Sequence, residues 1–250
     1  MSFCVFDIET GPQPIEVLRA TAKPFKASPH PGNFDPSKVK FGTTKDPEKR
    51  QAKIAEAAEK HAAAVEAYAE QCIADEQAYW TSILEGAALS ALTGQVLAIG
   101  YKSKEKLRMD VQSATVDERK IINEFWKIYA AYSHAGNRMI GFNIEDFDIP
   151  FLVQRSILID IMVPVSLFKQ YRYLDGTFID LRKIWCAGQW KGLGSLDAIC
   201  RAAGIGAKPD GIDGGQFYEL LANPATRDHA IDYLKNDLEM TFALSERMSL

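Results

Sequence analysis

The chain has 250 residues, of which 47% are hydrophobic and 25% are charged, a balance typical of a soluble globular protein with one sizeable core. No apolar run approaches the ~20 residues that a membrane-spanning helix needs, and the first residues do not resemble a targeting signal, so we expect a cytoplasmic protein without a membrane partner. The net charge of −4 does not indicate a polyanion-binding protein, but it does not exclude one, because a carboxylate site attracts phosphate once it holds metal ions.

The first predicted element is a buried strand over Ser2–Ile8, with Asp7 and Glu9 at its end. Alternate residues of a strand point to the same face, so the two carboxylates would lie side by side. Paired carboxylates repel each other unless a cation relieves the repulsion. The D-x-E pattern alone is common by chance, and it is also compatible with a strand end that meets solvent.

Residues 11–45 contain six prolines and are predicted to form a loop. Between Arg19 and Lys45 there are six basic residues and a single acidic one, Asp35, so this is the most basic stretch of the chain. It could hold a phosphate backbone or form a solvated loop.

A long helix is predicted to follow, with Asp46 as N-cap and Pro47 at the first helical position. Strong helix formers continue to about Ala91, and larger apolar residues recur at spacings of three and four. The segment could be a helical hairpin, an arm or a weak coiled coil. We interpret residues 19–91 as a basic loop followed by a helical insertion.

Strands and helices alternate through the rest of the chain. The predicted order is a hairpin of Gln95–Tyr101 and Leu107–Ser113, a helix over Asp117–Tyr132, a strand over Arg138–Phe142, a helix over Phe147–Ser156, a helix after Gly192–Gly194 that Ser195 caps and that ends near Gly204, and a final helix from about Pro224 to Met248 capped by Asn223. The four cysteines are widely separated and form no C-x-x-C pair, which argues against a zinc site or a disulfide framework and predicts free thiols.

A second group of polar residues lies where the strand ending near Asn143 meets the next helix. This position places Asp148 at the rim of the predicted sheet. Asp146 is a rival metal ligand, and Asp148 taken alone could be a helix N-cap.

The final helix carries a third group, Tyr233 and Asp237. Residues four apart share one face of a helix, so the hydroxyl and the carboxylate can converge on one small site. Taken alone, Tyr233 could equally be an aromatic residue of the core.

Together these three groups resemble the exonuclease motifs of the DEDD superfamily. The matching segments are Phe-Asp-Ile-Glu-Thr at 6–10, Asn143 with Phe147-Asp148, and Tyr233-x-x-x-Asp237. They occur in the family's order, and the third has the Tyr rather than the His of the two subtypes. The sequence Gly-Phe-Asn-Ile-Glu-Asp-Phe-Asp-Ile-Pro-Phe-Leu at 141–152 is similar to the proofreading domains of family-B DNA polymerases, and Leu193-Gly194-Ser195-Leu196-Asp197 to Gly204 resembles the helix before their third motif.

The resemblance covers residues 1–18 and roughly 92–250, whereas residues 19–91 depart from the compact family pattern. It implies an α/β, ribonuclease-H-like fold in which helices flank a mixed sheet. We therefore expect residues 1–250 to form a single 3′→5′ exonuclease domain, interrupted at about 19–91. Because no polymerase domain follows, the chain looks like a freestanding relative.

The resemblance also implies two-metal catalysis by Mg²⁺ or Mn²⁺, both of which suit carboxylate ligands. By this likeness Asp7 would bridge both ions, Glu9 and Asp237 would hold the ion that activates water, and Asp148 would support the other. Tyr233 would orient the attacking water. The match to the Phe-Asp dipeptide favours Asp148 over Asp146.

The expected substrate is a DNA 3′ end, preferably single-stranded, from which 5′-mononucleotides are released. Thr10, Asn143 and Phe147 are the candidate substrate-binding residues, and Phe147 could instead be plain core. A separate polymerase or a replication or repair protein is a candidate partner. The alternatives are an exoribonuclease on the same scaffold and a catalytically idle nucleic-acid-binding or assembly module. The complete set of four carboxylates and one tyrosine counts against the idle module.

Overall fold

The computed structural model describes residues 2–169, 173–174, 176–189, 194–208 and 214–250. Gly192 and Leu193, which the sequence places just before the helix capped by Ser195, lie outside the described residues. The chain divides into two compact units. The core unit consists of Met1–Leu18 and Gly86–Leu250, and the insertion unit consists of Arg19–Glu85.

A mixed five-stranded sheet organises the core unit, with strand order β3-β2-β1-β4-β7. Its strands are β1 (Phe3–Pro12), β2 (Gly94–Lys102), β3 (Leu107–Val111), β4 (Arg138–Gly141) and β7 (Phe178–Asp180), and a separate short ribbon pairs β5 (Phe168–Lys169) with β6 (Tyr173–Leu174). Strand β1 lies at the centre, antiparallel to β2 and parallel to β4.

Helices of the core unit lie on both faces of this sheet. In chain order the described helices are α1 (Ile15–Thr21), α2 (Pro47–Ala87), α3 (Glu118–His134), α4 (Asp148–Leu158), α5 (Leu181–Cys186), α6 (Leu196–Ala202), α7 (Phe217–Ala222) and α8 (Arg227–Arg247), of which α2 belongs to the insertion unit and is described separately below. On one face Phe6 and Ile8 pack with apolar residues of α3 and α4, and on the other face Val5 packs with residues of α6, α7 and α8. This alternation along β1 directs Asp7 and Glu9 to the α8 face.

Several predicted elements are confirmed. Strands β2 and β3 form the expected antiparallel hairpin. The side chain of Asp117 caps α3 by accepting a hydrogen bond from the amide of Lys120, and Ser195 caps α6 in the same way from the amide of Ala198. The four cysteines are free thiols, as expected.

The predicted end of the first strand is wrong. Strand β1 does not end at Ile8 but continues to Pro12, because the residues after a bulge at Glu9/Thr10 still pair with β2. Asp7 and Glu9 therefore lie inside the strand, where Asp7 pairs with Gly100 and Glu9 with Ala98 of β2.

The final helix also begins later than predicted, at Arg227 rather than about Pro224. Asn223 is not its cap, since the side-chain carbonyl of Asn223 accepts a hydrogen bond from the amide of Ala225 within a turn. The hydroxyl of Thr226 donates to the carbonyl of Leu220 and stabilises the same turn. The short helices α1 and α7 were not predicted from the sequence.

The insertion unit contains one continuous helix rather than a helical hairpin. Helix α2 has 41 residues and ends at Ala87, not at about Ala91, and it would measure about 60 Å at 1.5 Å per residue. Asp46 accepts a hydrogen bond from the amide of Glu48, which confirms the predicted N-cap.

The segment before α2 runs back along the helix in the opposite direction. The hydroxyl of Tyr79 donates to the carbonyl of Lys23 at 2.5 Å, and the hydroxyl of Tyr68 donates to the carbonyl of Ser28 at 2.8 Å. Nearer the start of the helix, the side chain of Lys53 donates to the carbonyl of Phe41 at 3.2 Å. Among the described residues, no helix has the length and apolar character needed to cross a bilayer.

Candidate active site

Three carboxylates converge between the centre of the sheet and helix α8. One oxygen each of Asp7, Glu9 and Asp237 lies within 4.8 Å of the others. Gly100 makes this approach possible, because it pairs with Asp7 across the sheet and a Cβ atom there would overlap the side chain of Leu238. A glycine opposite Asp7 therefore allows α8 to lie close to the sheet.

Asp148 lies beside this cluster as the first residue of α4. Its carboxylate accepts a hydrogen bond from the amide of Ile8 at 3.3 Å, and its side chain is buried. Burial raises the pKa of Asp148 to about 7, against the lowering effect of the amide of Ile8. The structure thus brings Asp148 next to β1, outside the set of three whose oxygens lie within 4.8 Å.

The electrostatics of the cluster disfavour its ionised form. Burial is the main cause that raises the pKa values of Asp7 and Glu9 well above their usual range, and repulsion from neighbouring carboxylates adds to the effect. Burial also raises the pKa of Asp237, although Lys208 opposes the shift. A cation in the cluster would favour the ionised carboxylates and so oppose these shifts.

Lys208 supplies one positive charge to the site. Its ammonium group donates to Asp237 Oδ2 at 2.5 Å and to the hydroxyl oxygen of Tyr233 at 2.6 Å. Burial is the largest single influence on Lys208 and opposes its charge, but the charge and hydrogen bond of Asp237, together with Tyr233, outweigh burial and raise the pKa of the ammonium group. Burial and the charge of Asp237 raise the pKa of Tyr233 to about 12, so its hydroxyl stays protonated at neutral pH.

One oxygen of the cluster has no partner among the described residues. Asp237 Oδ1 is buried and accepts no hydrogen bond there, whereas Asp237 Oδ2 is bound by Lys208. A buried carboxylate oxygen without a donor is costly unless a ligand satisfies it. The donor set of Asp7, Glu9 and Asp237 is made only of carboxylates, the ligands that hard divalent cations prefer.

The three predicted substrate-binding residues lie in different settings. The hydroxyl of Thr10 donates to the carbonyl of Ala88 at 2.7 Å, which leaves only its oxygen lone pairs available. Phe147 precedes α4, is half-buried, and packs against Phe151 with ring centroids 5.6 Å apart. Asn143 adopts a left-handed backbone conformation, with φ of 66°.

The side chains of Asp180 and Arg182 hold the loop around Asn143. The buried carboxylate of Asp180 accepts hydrogen bonds from the amides of Asn143 at 2.9 Å and Glu145 at 3.0 Å. The guanidinium of Arg182 donates to the side-chain oxygen of Asn143 at 2.6 Å. With its oxygen engaged, Asn143 has only its amide hydrogens to offer to a ligand.

Asp146, the rival to Asp148, lies apart from the carboxylate cluster. Its side chain is 57% exposed and forms an ion pair with Lys183 at 2.7 Å. The structure therefore places Asp148, and not Asp146, beside Asp7.

Sequence reasoning missed Lys208 and Asp180. Lys208 lies in a glycine-containing segment without helical or strand periodicity, so no local spacing connected it to Tyr233. Asp180 had a weak signal, since an aspartate at the end of a short apolar strand is a common helix N-cap, and it does cap α5.

Comparison with solved structures places this architecture in a known class. The fold is similar to the family B DNA polymerase from the hyperthermophilic archaeon Pyrobaculum calidifontis, with a TM-score of 0.54 and 20% sequence identity. The similarity covers 66% of this chain and 23% of the polymerase chain, so this chain corresponds to less than a quarter of that protein. The likeness confirms the predicted ribonuclease-H-like fold, a mixed sheet flanked by helices.

A family model gives the finer identification. Residues 90–250 match the family of predicted 3′-5′ exonucleases related to the exonuclease domain of PolB, and the match covers more than half of the chain. The chain belongs to this family, whose members are described as predicted 3′-5′ exonucleases. A comparison with curated protein sequences finds no significant match.

Proposed function

We propose that the chain is a divalent-metal-dependent 3′→5′ exodeoxyribonuclease of the tyrosine (DEDDy) subtype. Its substrate would be the 3′ end of DNA, preferably single-stranded, and its products 5′-mononucleotides. The observation that carries the proposal is the convergence of Asp7, Glu9 and Asp237 within 4.8 Å, in a chain whose family is described as exonucleases. In this proposal the catalytic domain spans 1–250 and is interrupted by the insertion.

The residues present suit divalent cations. Asp7, Glu9 and Asp237, with Asp148 beside them, would hold two Mg²⁺ or Mn²⁺ ions, and Asp237 Oδ1, which has no partner among the described residues, is a candidate ligand atom. When bound, such ions supply positive charge that activates water and stabilises charge on the oxygens of a phosphodiester. The raised pKa values of these carboxylates support the need for added positive charge.

Tyr233 acts in this proposal as a hydrogen-bond donor that orients the attacking water. Its pKa of about 12 keeps the hydroxyl protonated, which excludes it as a general base at neutral pH. The hydrogen bond from Lys208 occupies a lone pair of the hydroxyl oxygen, and the O–H, which interacts with Asp237 in this structure, is the group that would donate to the water.

The neighbouring loop provides groups suited to the terminal nucleotide. The amide hydrogens of Asn143 can donate to phosphate or sugar oxygens, because Arg182 already engages its carbonyl oxygen. The half-buried ring of Phe147 offers a surface on which a base can stack, a contact worth ~1–3 kcal/mol. Thr10 would contact the strand through its hydroxyl oxygen. Resemblance to polymerase proofreading domains supports DNA over RNA and a replication or repair protein as a partner.

The direct test uses single strands of DNA and RNA of the same sequence, each labelled at the 5′ end. With Mg²⁺ or Mn²⁺ we expect labelled DNA to shorten stepwise from its 3′ end, slower shortening of RNA, and no cleavage in excess EDTA. Cleavage that persists in EDTA would exclude the metal-dependent mechanism, and faster hydrolysis of RNA would make the chain an exoribonuclease.

A matched pair of variants tests the identity of the second-motif ligand. Asp148→Asn removes a charge beside Asp7, whereas Asp146→Asn removes one from an exposed ion pair with Lys183. We expect Asp148→Asn to abolish turnover and Asp146→Asn to retain most of it. The reverse result would show that Asp146, and not Asp148, is the metal ligand of the second motif.

A further inference from the structure

Charge is unevenly distributed along the insertion unit. Residues 36–53 contain six basic residues and two acidic ones, whereas residues 54–85 contain one basic residue and seven acidic ones. We call residues 36–53 the cationic end. Glu56, at the start of the acidic part, interacts with Lys53 and Lys60. Charges separated by more than ~8–10 Å are largely screened at physiological salt, so the acidic residues further along α2 do not cancel the field of the cationic end.

Two basic side chains tie the cationic end into one body. The guanidinium of Arg50 donates to the carbonyl of Thr44 at 2.8 Å and lies over the ring of Phe41 at 5.3 Å, while Lys53 donates to the carbonyl of Phe41. These contacts join the loop to the first turns of α2. Both cations bind neutral carbonyl groups in these contacts, so their positive charge is not neutralised there.

Four further lysines of the cationic end are exposed: Lys38, Lys40, Lys45 and Lys49. Lys38 lies 3.8 Å from Asp35, and Lys49 lies 3.9 Å from Asp46, with the two lysine side chains 84% and 75% exposed. Such long, exposed ion pairs contribute little energy, so these lysines remain available to an external anion. The two aspartates also accept backbone amides at the starts of their helical turns.

We propose that the cationic end binds the phosphate backbone of a nucleic-acid strand, as a second contact surface in addition to the carboxylate site. The inference deepens the proposed function and rests on it for the identity of the strand. A cluster of exposed lysines supplies the charge contacts to phosphate that bind nucleic acid irrespective of its sequence. Contacts of this kind hold a long strand during successive cleavage steps.

A nucleic acid fits this surface better than a lipid membrane. Membrane-binding surfaces combine cations with exposed apolar side chains. The large apolar residues of the insertion unit that are exposed, Val65, Ile73 and Leu84, lie in the acidic part of α2. Within the cationic end, Phe41 is partly buried beneath Arg50.

The experiment compares two sets of four substitutions that remove the same charge. The test variant carries Lys38→Gln, Lys40→Gln, Lys45→Gln and Lys49→Gln, and it leaves the loop-holding Arg50 and Lys53 intact. The control variant carries Lys104→Gln, Lys106→Gln, Lys127→Gln and Arg247→Gln, all exposed positions of the core unit. Both sets are built on the full chain with Asp7→Asn, so that the strand is not consumed.

Affinity is measured by fluorescence anisotropy with a labelled single strand of about 30 nucleotides at several salt concentrations. Each lost phosphate contact lowers the salt slope of log K by about 0.7 for single strands, so we expect a slope shallower by up to about 3 in the test variant. At low salt its affinity should be roughly tenfold lower or more, while the control variant binds as the parent does. Equal slopes and affinities in the two variants would overturn the inference.

Two further measurements separate this inference from the proposed function. The same substitutions in the chain with Asp7 intact should leave hydrolysis of the p-nitrophenyl ester of thymidine 5′-monophosphate unchanged, because that probe carries a single phosphate. Normal hydrolysis of the ester, with no difference in strand binding between the two variants, would reject the inference about the cationic end and leave the proposed nuclease function supported. An inactive parent chain with lysine-dependent strand binding would reject the nuclease alone. If the lysines control binding to anionic lipid vesicles and not to the strand, the inference is wrong.

Discussion

At the scale of single residues, the cost of burying like charges decides the character of the site. Glu9, Asp148 and Asp237 are 7%, 4% and 6% exposed, and Asp7 lies among them. Within the part of the chain that the structure describes, the one ammonium group of Lys208 cannot balance four carboxylates. Protonation or added cations would supply further positive charge, so under the proposed function the same residues would be acids in the metal-free protein and ligands in the loaded one.

Tyr233→Phe tests whether the tyrosine hydroxyl serves the chemistry. The substitution removes one polar atom and keeps the ring, which packs in the core beneath α8. Losing a well-placed polar contact in a transition state costs ~10²–10³ in turnover at the strong end, and water positioning is weaker, so we expect a loss of roughly ten- to a hundredfold. KM and the melting temperature should change little.

Tyr132→Phe is the matched control for this experiment. The Tyr132 hydroxyl interacts with the Cys4 thiol, on the other face of the sheet from α8. We expect its turnover to match that of the unmodified chain. Unchanged turnover in Tyr233→Phe would assign Tyr233 to packing alone and leave the carboxylate site unaffected.

The site residues that could be predicted from the sequence are those that belong to a short local pattern. The D-x-E pair, Asp148 and the Tyr233–Asp237 pair each sit in a local pattern, and the structure brings Asp7, Glu9 and Asp237 together. Lys208 meets Tyr233 only through the folded chain. The two residues are far apart in sequence, so no local sequence pattern indicates their contact. The role of Lys208 could therefore not be predicted.

At the scale of elements, the approach of α8 to the sheet positions the third motif. Gly100→Ala tests this packing, since the added methyl group would overlap Leu238 and crowd Leu234, both fully buried. Overpacking of this kind costs ~1–3 kcal/mol, which corresponds to a fall in melting temperature of about 2–4 °C per kcal/mol for a chain of this size. Turnover per folded molecule should fall as well, because α8 carries Tyr233 and Asp237.

Gly86→Ala provides the control, because a Cβ atom at Gly86 meets nothing within 4 Å. Replacing a helical glycine by alanine stabilises a protein by about 0.4–1 kcal/mol where space permits. The melting temperature of the Gly86→Ala variant should therefore stay equal or rise. Thermal unfolding and single-turnover rates of both variants provide the comparison. A Gly100→Ala chain with normal stability and turnover would show that α8 does not depend on this close approach.

Element types were predictable where periodicity was strong, and element ends were not. The hairpin of β2 and β3 and the helices α3 and α6 follow their apolar patterns and capping residues. Strand β1 extends beyond its apolar run because pairing with β2 continues through Pro12. The start of α8 moved for a different reason, since hydrogen bonds of a local turn at 220–226 replace the predicted cap.

At the scale of the whole molecule, net charge conceals the features that matter. The total of −4 is the sum of a cationic end, an acidic stretch of α2 and a core unit with a buried carboxylate cluster. Composition therefore indicated neither the site nor the basic surface. The order of three motifs along the chain did predict the fold class, because that order is tied to strand topology rather than to composition.

The buried carboxylates also make the stability of the whole molecule depend on pH and on divalent ions. In the metal-free protein the pKa of Asp148 is raised to about 7 and those of Asp7 and Glu9 well above their usual range, whereas carboxylates of an unfolded chain titrate near pH ~4. Between these values the folded state binds more protons than the unfolded state. The contribution of these groups to stability is therefore present at low pH and is lost as pH rises from about 4 through about 7.

Divalent ions should reverse this trend, because they bind the ionised carboxylates of the folded state alone. We expect Mg²⁺ or Mn²⁺ to raise the melting temperature more at about pH 8 than at about pH 5, where protons compete for the same oxygens.

The variant Asp148→Asn separates the pH dependence that Asp148 causes from that of the many exposed acids. Its amide oxygen can still accept a hydrogen bond from the amide of Ile8 but does not acquire a charge. In EDTA its stability relative to the unmodified chain should increase with pH, while Asp146→Asn should show no such trend. Thermal unfolding across this pH range, with and without the ions, measures both quantities, and a stability difference for Asp148→Asn that is flat or falls with pH would contradict the raised pKa of that carboxyl.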